Sequence, residues 1–250
     1  IAFRYTNVAW PTSNYHVLTT NYFDNYDYPN APSVPTTILG QPILNGQSGN
    51  TKTLPTGTWV RVLQGQTQYN GNLTTTFYDT KGRAVATNTT SYLGGYTNTE
   101  TKLDFTGQPQ ESITYHKRDN NSSVLTTTEL FTYTPQGRLL THTHQVNNNP
   151  VEVLVHNTYD ALGQLVTKQV GGDETYVQNI GHLQTVDYQY NIRGWLLEIN
   201  NTQDLSSGSG LFNDLFSFKI NFIKMKNANH FFGSHNGSEN FYRHNLSGIV

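Results

Sequence analysis

From residue 59 onward apolar and polar positions alternate in short runs, each closed by a Gly or Asn cluster. That is the period-2 pattern of antiparallel strands joined by tight turns. The alternation predicts strands over 59–63, 73–78, 83–92, 113–116, 124–133, 139–146, 151–159, 165–170 and 185–190. No run before residue 200 repeats at 3.6, so no amphipathic helix is predicted there. Residues 28–55 hold Pro29, Pro32, Pro35, Pro42 and Pro55 with Gly40, Gly46 and Gly49. Proline cannot donate to a strand ladder, so this stretch is predicted to be a loop laid over a sheet. A second break, DLSSGSG at 204–210, reads as a flexible connection, after which Phe218, Ile220 and Phe222 alternate again. Three segments follow: 1–58, an N-terminal β segment with the Pro-rich loop; 59–203, a repeat sheet; and 204–250, a continuation with a linker and short strands.

The chain repeats itself. YDTKGRAV at 78–85 recurs as LDFTGQPQ at 103–110, YTPQGRLL at 133–140, YDALGQLV at 159–166 and YNIRGWLL at 190–197. A type I turn favours Asp at its first position, where the carboxylate accepts backbone N–H groups, and Gly at its fourth. That glycine takes a positive φ without a Cβ clash and forms the bulge that returns the chain in register. Each copy therefore predicts one hairpin. The candidate structural residues are Tyr78, Asp79 and Gly82; Leu103, Asp104 and Gly107; Tyr133 and Gly137; Tyr159, Asp160 and Gly163; and Tyr190, Gly194 and Trp195. Secondary turns are predicted at Gly94-Gly95 and over 119–122, 147–150 and 171–173. A single hairpin is marginal in water, so the units must stack edge to edge and share a buried face, to which Tyr and Trp are suited. A propeller blade needs ~40 to 50 residues, more than these repeats supply.

Composition agrees. Of 250 residues 13% are charged and 35% apolar, so Thr, Asn, Gln and Ser must keep the surface wet. Low charge with 16 Tyr favours strands over a helical bundle. Fifteen basic residues against 17 acidic, with no basic run, remove the electrostatic basis for binding nucleic acid. The absence of Cys excludes disulfides, thiolate metal sites and thiol nucleophiles. No run approaches the ~18 apolar residues of a membrane helix. The chain opens in a strand-like run at Ile1, Phe3 and Tyr5 and stops at Val250, and both ends read as cuts in a longer chain.

The Tyr-Asp pairs at 78-79 and 159-160 resemble the Rhs, or YD-repeat, family. LQTVDYQYNIRGWLLEIN at 183–200 resembles the stretch leading into that family's core region in bacteria that export through the type IX pathway. The Tyr-rich stretch at 22–29, DTKGR at 79–83, SYLGG at 91–95 and NDLFSFKINF at 213–222 are similar, with a fainter echo in FYRHNLSG at 241–248. The resemblance implies an all-β fold of antiparallel hairpins stacked into a curved, spiralling sheet, part of a hollow shell that encloses a toxin or effector or displays surface domains. Five repeats are too few to close such a shell, the Asp-Pro dipeptide of the family's self-cleavage motif is absent from these residues, and no toxin-like domain is recognised within them. The expectation is a non-catalytic wall segment of an exported protein, secreted or on the outer face of the outer membrane. Its expected partners are the remainder of its own polypeptide or another shell fragment. The competing reading is a cell-surface adhesin, with a carbohydrate ligand among its options, or a subunit of an outer-membrane secretion or motility complex.

Candidate chemistry is sparse. His142 and His144 lie two apart on one predicted strand, with His116 and His156 on others, but no carboxylate has matching spacing for a metal. Asp24 and Asp27 among Tyr22, Phe23, Tyr26 and Tyr28 could stack on a sugar, although aromatic strands more often pack against a sheet. Asp79, Asp104, Asp160 and Asp173 are assigned to turns, leaving Glu100, Glu111, Glu129, Glu152 and Glu198 on separate strands. That is not the paired geometry a glycosidase needs. No phosphate loop and no GxSxG elbow occurs. Neither an enzyme activity nor a cofactor or metal is expected.

Overall fold

The computed structural model describes residues 15–65, 68–172, 182–204 and 213–220, and the backbone of Leu246–Ser247. The expectations placed on Ile1, Phe3 and Tyr5, on Asp173, on 205–210, on Phe222 and on 241–245 lie outside the described residues. The chain divides into two units: Ile1–Thr132 with His144–Pro150, and Tyr133–Thr143 with Val151–Val250. Apart from a 3-10 turn at Gln47–Gly49, the regular structure among the described residues is strand, and every described pairing is antiparallel. The protein is an all-β protein.

In the first unit, β1 (Thr19–Asp24), β4 (Thr51–Arg61), β5 (Gly71–Tyr78), β6 (Ala84–Thr90), β7 (Gly94–Leu103), β8 (Pro109–Asp119) and β9 (Leu125–Tyr133) lie side by side in that order. Between β1 and β4 the short strands β2 (Thr37–Ile38) and β3 (Gln41–Pro42) pair with each other. Alternation makes the core. Leu73, Thr75 and Phe77 face inward and Thr74 and Thr76 outward, and Trp59 and Ala86 fall beside Leu73 and Phe77 in register. Onto this face the chain between β1 and β4 lays Tyr26, Tyr28 and Ile38. The Tyr28 hydroxyl donates to the Thr56 carbonyl at 3.0 Å and meets Thr75 Oγ1 at 2.8 Å. Gly57 has no side chain because a Cβ there would lie 2.5 Å from the Tyr28 ring. The stretch expected to be a loop carries the β2–β3 pair and the 3-10 turn at Gln47–Gly49 before β4 begins.

Pro55 is a correction. The loop was expected to reach it, yet β4 begins at Thr51 and contains it. Pro55 faces Phe23 where the β1–β4 register slips on both sides of Phe23, and an irregular edge needs no donor from proline. The whole of β7 is a second departure, because its sequence GGYTNTETKL shows no apolar alternation. Polar cross-strand pairs hold it instead: Thr99 Oγ1 lies 3.1 Å from Thr114 Oγ1, and Thr97 Oγ1 lies 2.8 Å from His116 Nδ1.

β10 (Leu139–Val146) begins in the second unit. There β11 (Glu152–Tyr159), β12 (Leu165–Val170), β13 (Gln184–Tyr190), β14 (Leu196–Ile199), β15 (Phe218–Ile220) and β16 (Leu246–Ser247) pair in chain order. Among its described residues the buried apolar side chains are Val153 and Val155, and polar ones share the interior: Asn157, His182, Thr185, Glu198, Asn200, Asp214 and Ser217. The expectation that Tyr and Trp fill a shared buried face holds for Tyr78 and Trp59 but not for Trp195, which is 49% exposed.

The repeat turns as candidate functional site

All five repeats fold into the same turn. The glycine N–H donates to the carbonyl three residues back: Gly82 to Asp79 (2.9 Å), Gly107 to Asp104 (3.2 Å), Gly137 to Thr134 (2.8 Å), Gly163 to Asp160 (2.9 Å) and Gly194 to Asn191 (2.9 Å). The first turn residue then donates to the carbonyl after the glycine, as Asp79 does to Arg83 at 2.9 Å and Asp160 to Gln164 at 3.0 Å. The five glycines have φ of 75°, 97°, 79°, 79° and 78°. This is a type I turn closed by a glycine bulge. The extra residue appears as a register slip at Tyr78, Leu103, Tyr159 and Tyr190, where each incoming strand ends.

The side chain at the first turn position does the local work. Asp79 Oδ1 accepts the Lys81 and Arg83 N–H groups, both at 2.9 Å. Asp160 Oδ1 accepts those of Leu162 and Gln164, and Asp104 Oδ1 those of Gly107 and Gln108. Asn191 Oδ1 makes the same pair with Arg193 and Trp195, and Thr134 Oγ1 accepts one N–H, from Arg138. An amide or hydroxyl oxygen replaces the carboxylate because only a short acceptor is required. Burial pushes the Asp79 carboxyl up, but the N–H groups of Arg83 and Lys81 and the Arg83 guanidinium, 2.7 Å from Oδ2, outweigh it and hold the group below the usual carboxylate range. Asp104 is held low as well, by the Thr106 hydroxyl and the Gln108 N–H.

The tyrosines brace neighbouring strands. Tyr78 donates its hydroxyl to the Pro55 carbonyl at 2.6 Å and Tyr159 to the Leu139 carbonyl at 2.7 Å. Burial raises the Tyr190 phenol above its ordinary range, with Tyr188 and Asp160 adding to the effect. The Leu103 N–H is taken by Gln41 Oε1 at 3.0 Å, while Gln41 Nε2 reaches the Thr101 carbonyl at 2.9 Å. Gln41 thus fills the ladder position that the bulge before β6 vacates. Nothing in the local sequence around Gln41 signals that part.

The other candidates are placed apart. Tyr26 and Tyr28 are buried in the core, and Asp24 Oδ1 accepts the Thr53 N–H at 2.6 Å, so these two rings offer no stacking platform. Glu100, Glu111, Glu129, Glu152 and Glu198 lie on β7, β8, β9, β11 and β14. The Glu198 carboxyl is held low by the Thr202 N–H and by Lys219, 3.1 Å away. Among the described residues no three His, Asp or Glu stand where they could hold a metal ion. His156 acts electrostatically on His182, a residue that strand spacing gave no reason to choose. Burial first, and the His156 charge second, hold the His182 imidazole below its ordinary range. No helix among the described residues is long and apolar enough to cross a membrane.

The fold and these turns define the class: an antiparallel β-hairpin repeat protein. No family model and no curated protein matches the chain. Among solved structures it is similar to the crystal structures of TcdB2-TccC3-Cdc42 and of TcdB2-TccC3 without its hypervariable C-terminal region. Each alignment has 12% identity and covers 73% of this chain, with TM-scores of 0.21 and 0.19. The chain spans 12% of the length of either of those chains.

Proposed function

We propose that this chain is a non-catalytic wall segment of a larger, exported Rhs-type β shell that encloses or displays a cargo domain. The observation that supports the reading is one turn built five times on antiparallel strands that follow chain order. Such a sheet extends by adding hairpins and has its repeat turns at one end of the strands within each unit. The turn carboxylates Asp79, Asp104 and Asp160 are committed to backbone N–H groups, which favours architecture over chemistry for these residues. The partners follow: the remainder of its own polypeptide or another shell fragment, on the outer side of the cell.

The test is made on native material. Intact-mass measurement and limited proteolysis should find this chain travelling with further segments of one long polypeptide, one of them protease-resistant only while the sheet is intact. Gly163→Val in that polypeptide should expose the protected segment. A chain that isolates alone and binds outer-membrane extract or a glycan array would replace the shell with the adhesin reading. Turnover of a substrate by the isolated chain would end both.

A further inference from the structure

A turn glycine with positive φ presents a bare Cα, and what lies over it differs along the chain. Over Gly82 there is nothing within 4 Å. At Gly107 a Cβ would meet Arg83 Nη1 at 3.6 Å, at Gly194 it would meet Gln164 Nε2 at 2.8 Å, and at Gly163 it would overlap the Arg138 guanidinium. In all three cases the covering side chain follows the glycine of the preceding repeat. Arg83 shows the bridge in full: Nε binds its own Asp79 Oδ2 at 2.7 Å, while Nη1 donates to the Asp104 carbonyl of the next turn at 2.9 Å. Arg138 also lies over the Tyr159 ring, 5.9 Å from its centroid, at the start of the next repeat's turn. The first turn has a different anchor, the Pro-rich segment, where the Leu44 N–H donates to the Tyr78 carbonyl at 2.9 Å.

The geometry points to a directional staple: the residue after each of Gly82, Gly137 and Gly163 positions the turn of the following repeat. Arg83, Arg138 and Gln164 are these positioning residues. Gly82 and Gly107, Gly137 and Gly163, and Gly163 and Gly194 are separated by unequal lengths of chain. A staple at the turn end keeps successive turns level and moves the difference in arm length to the opposite end of the strands. The inference rests on the reading of the chain as a repeat sheet; whether the sheet encloses anything does not enter.

Amide hydrogen exchange on the 250-residue chain tests it. Arg138→Ala should speed exchange of the Gly163 N–H roughly 3- to 10-fold, the loss expected for one cation–π and van der Waals contact at a part-exposed site. It should leave the Gly137 N–H, in its own turn, and the amides of β7 and β8 unchanged. Arg138→Gln, which keeps a covering side chain like that at position 164 but no cation, should fall between the native chain and Arg138→Ala. Gln164→Ala should act on Gly194 and spare Gly163. Equal acceleration in the variant's own turn, or no acceleration in the next one, overturns the staple. If Arg138→Ala unfolds the second unit, the Gln164→Ala comparison decides. Because the readout is local to an isolated chain, its failure leaves the proteolysis test of the shell standing, and failure of the shell leaves the staple standing.

Discussion

Adding a methyl group to Gly163 and to Gly82 poses the same backbone problem in two different surroundings. Both glycines have positive φ, 79° and 75°. An L-residue in that region costs roughly 1–2 kcal/mol. At Gly82 the new methyl enters open space, so the cost stops there. At Gly163 it overlaps the Arg138 guanidinium, which must swing off the Tyr159 ring. Losing a cation–π contact at a partly exposed site costs a further ~0.5–1 kcal/mol. Gly163→Ala should therefore destabilise by about 2 kcal/mol or slightly more, and Gly82→Ala by the backbone term alone. Urea titrations read by fluorescence separate the units, using variants that keep only Trp59 for the first and only Trp195 for the second. In an Arg138→Ala background the extra penalty at Gly163 should vanish. Equal costs at the two glycines, with no change in that background, would refute the stapled turn; no cost at either would refute the positive-φ turn itself.

Other outcomes follow from the hydrogen bonding and the charges. Tyr28→Phe should cost about 1–2 kcal/mol, because it strands the buried Thr56 carbonyl and Thr75 hydroxyl. Burial pushes the Tyr28 phenol up to about 12, so its contribution is complete below the ordinary phenol range near pH ~10 and is lost as pH rises towards 12. An alkaline melt should show less loss in the Phe variant. The lowered Asp79 carboxyl contributes stability that is complete above pH ~4 and is lost as pH falls through its lower folded value. Asp79→Asn should flatten that acid limb at a cost near 1 kcal/mol while the turn survives, since Asn191 already serves the last repeat; an acid melt of the Trp59-only chain measures both. His182, held low by burial and His156, contributes stability that is complete above pH ~6.5 and fades below it, partly offset by Asp214, whose carboxyl burial and Asp187 raise. Acidification should therefore weaken the second unit at a higher pH than the first, and a shared onset in the two fluorescence readouts would contradict this.

What the amino-acid order determined by itself was local. Asp or a stand-in acceptor three residues before glycine closes a type I turn by short-range sterics and hydrogen bonds, and that information is complete within five residues. The recurring pattern therefore gave the hairpins, their count and the all-β class. The tertiary structure decided what depends on residues far apart in the chain. Strand β7 carries no apolar alternation and meets β8 through the Thr99–Thr114 hydroxyl pair and the Thr97–His116 contact. Pro55 is inside a strand because β1 is irregular opposite it. Gln41 completes a ladder about sixty residues away, and His182 feels the charge of His156, a residue distant in sequence. In the same way Arg83, Arg138 and Gln164, each following a turn glycine, reach the turn of the next repeat, because edge-to-edge stacking brings side chains together across space at positions that no periodicity along the chain encodes.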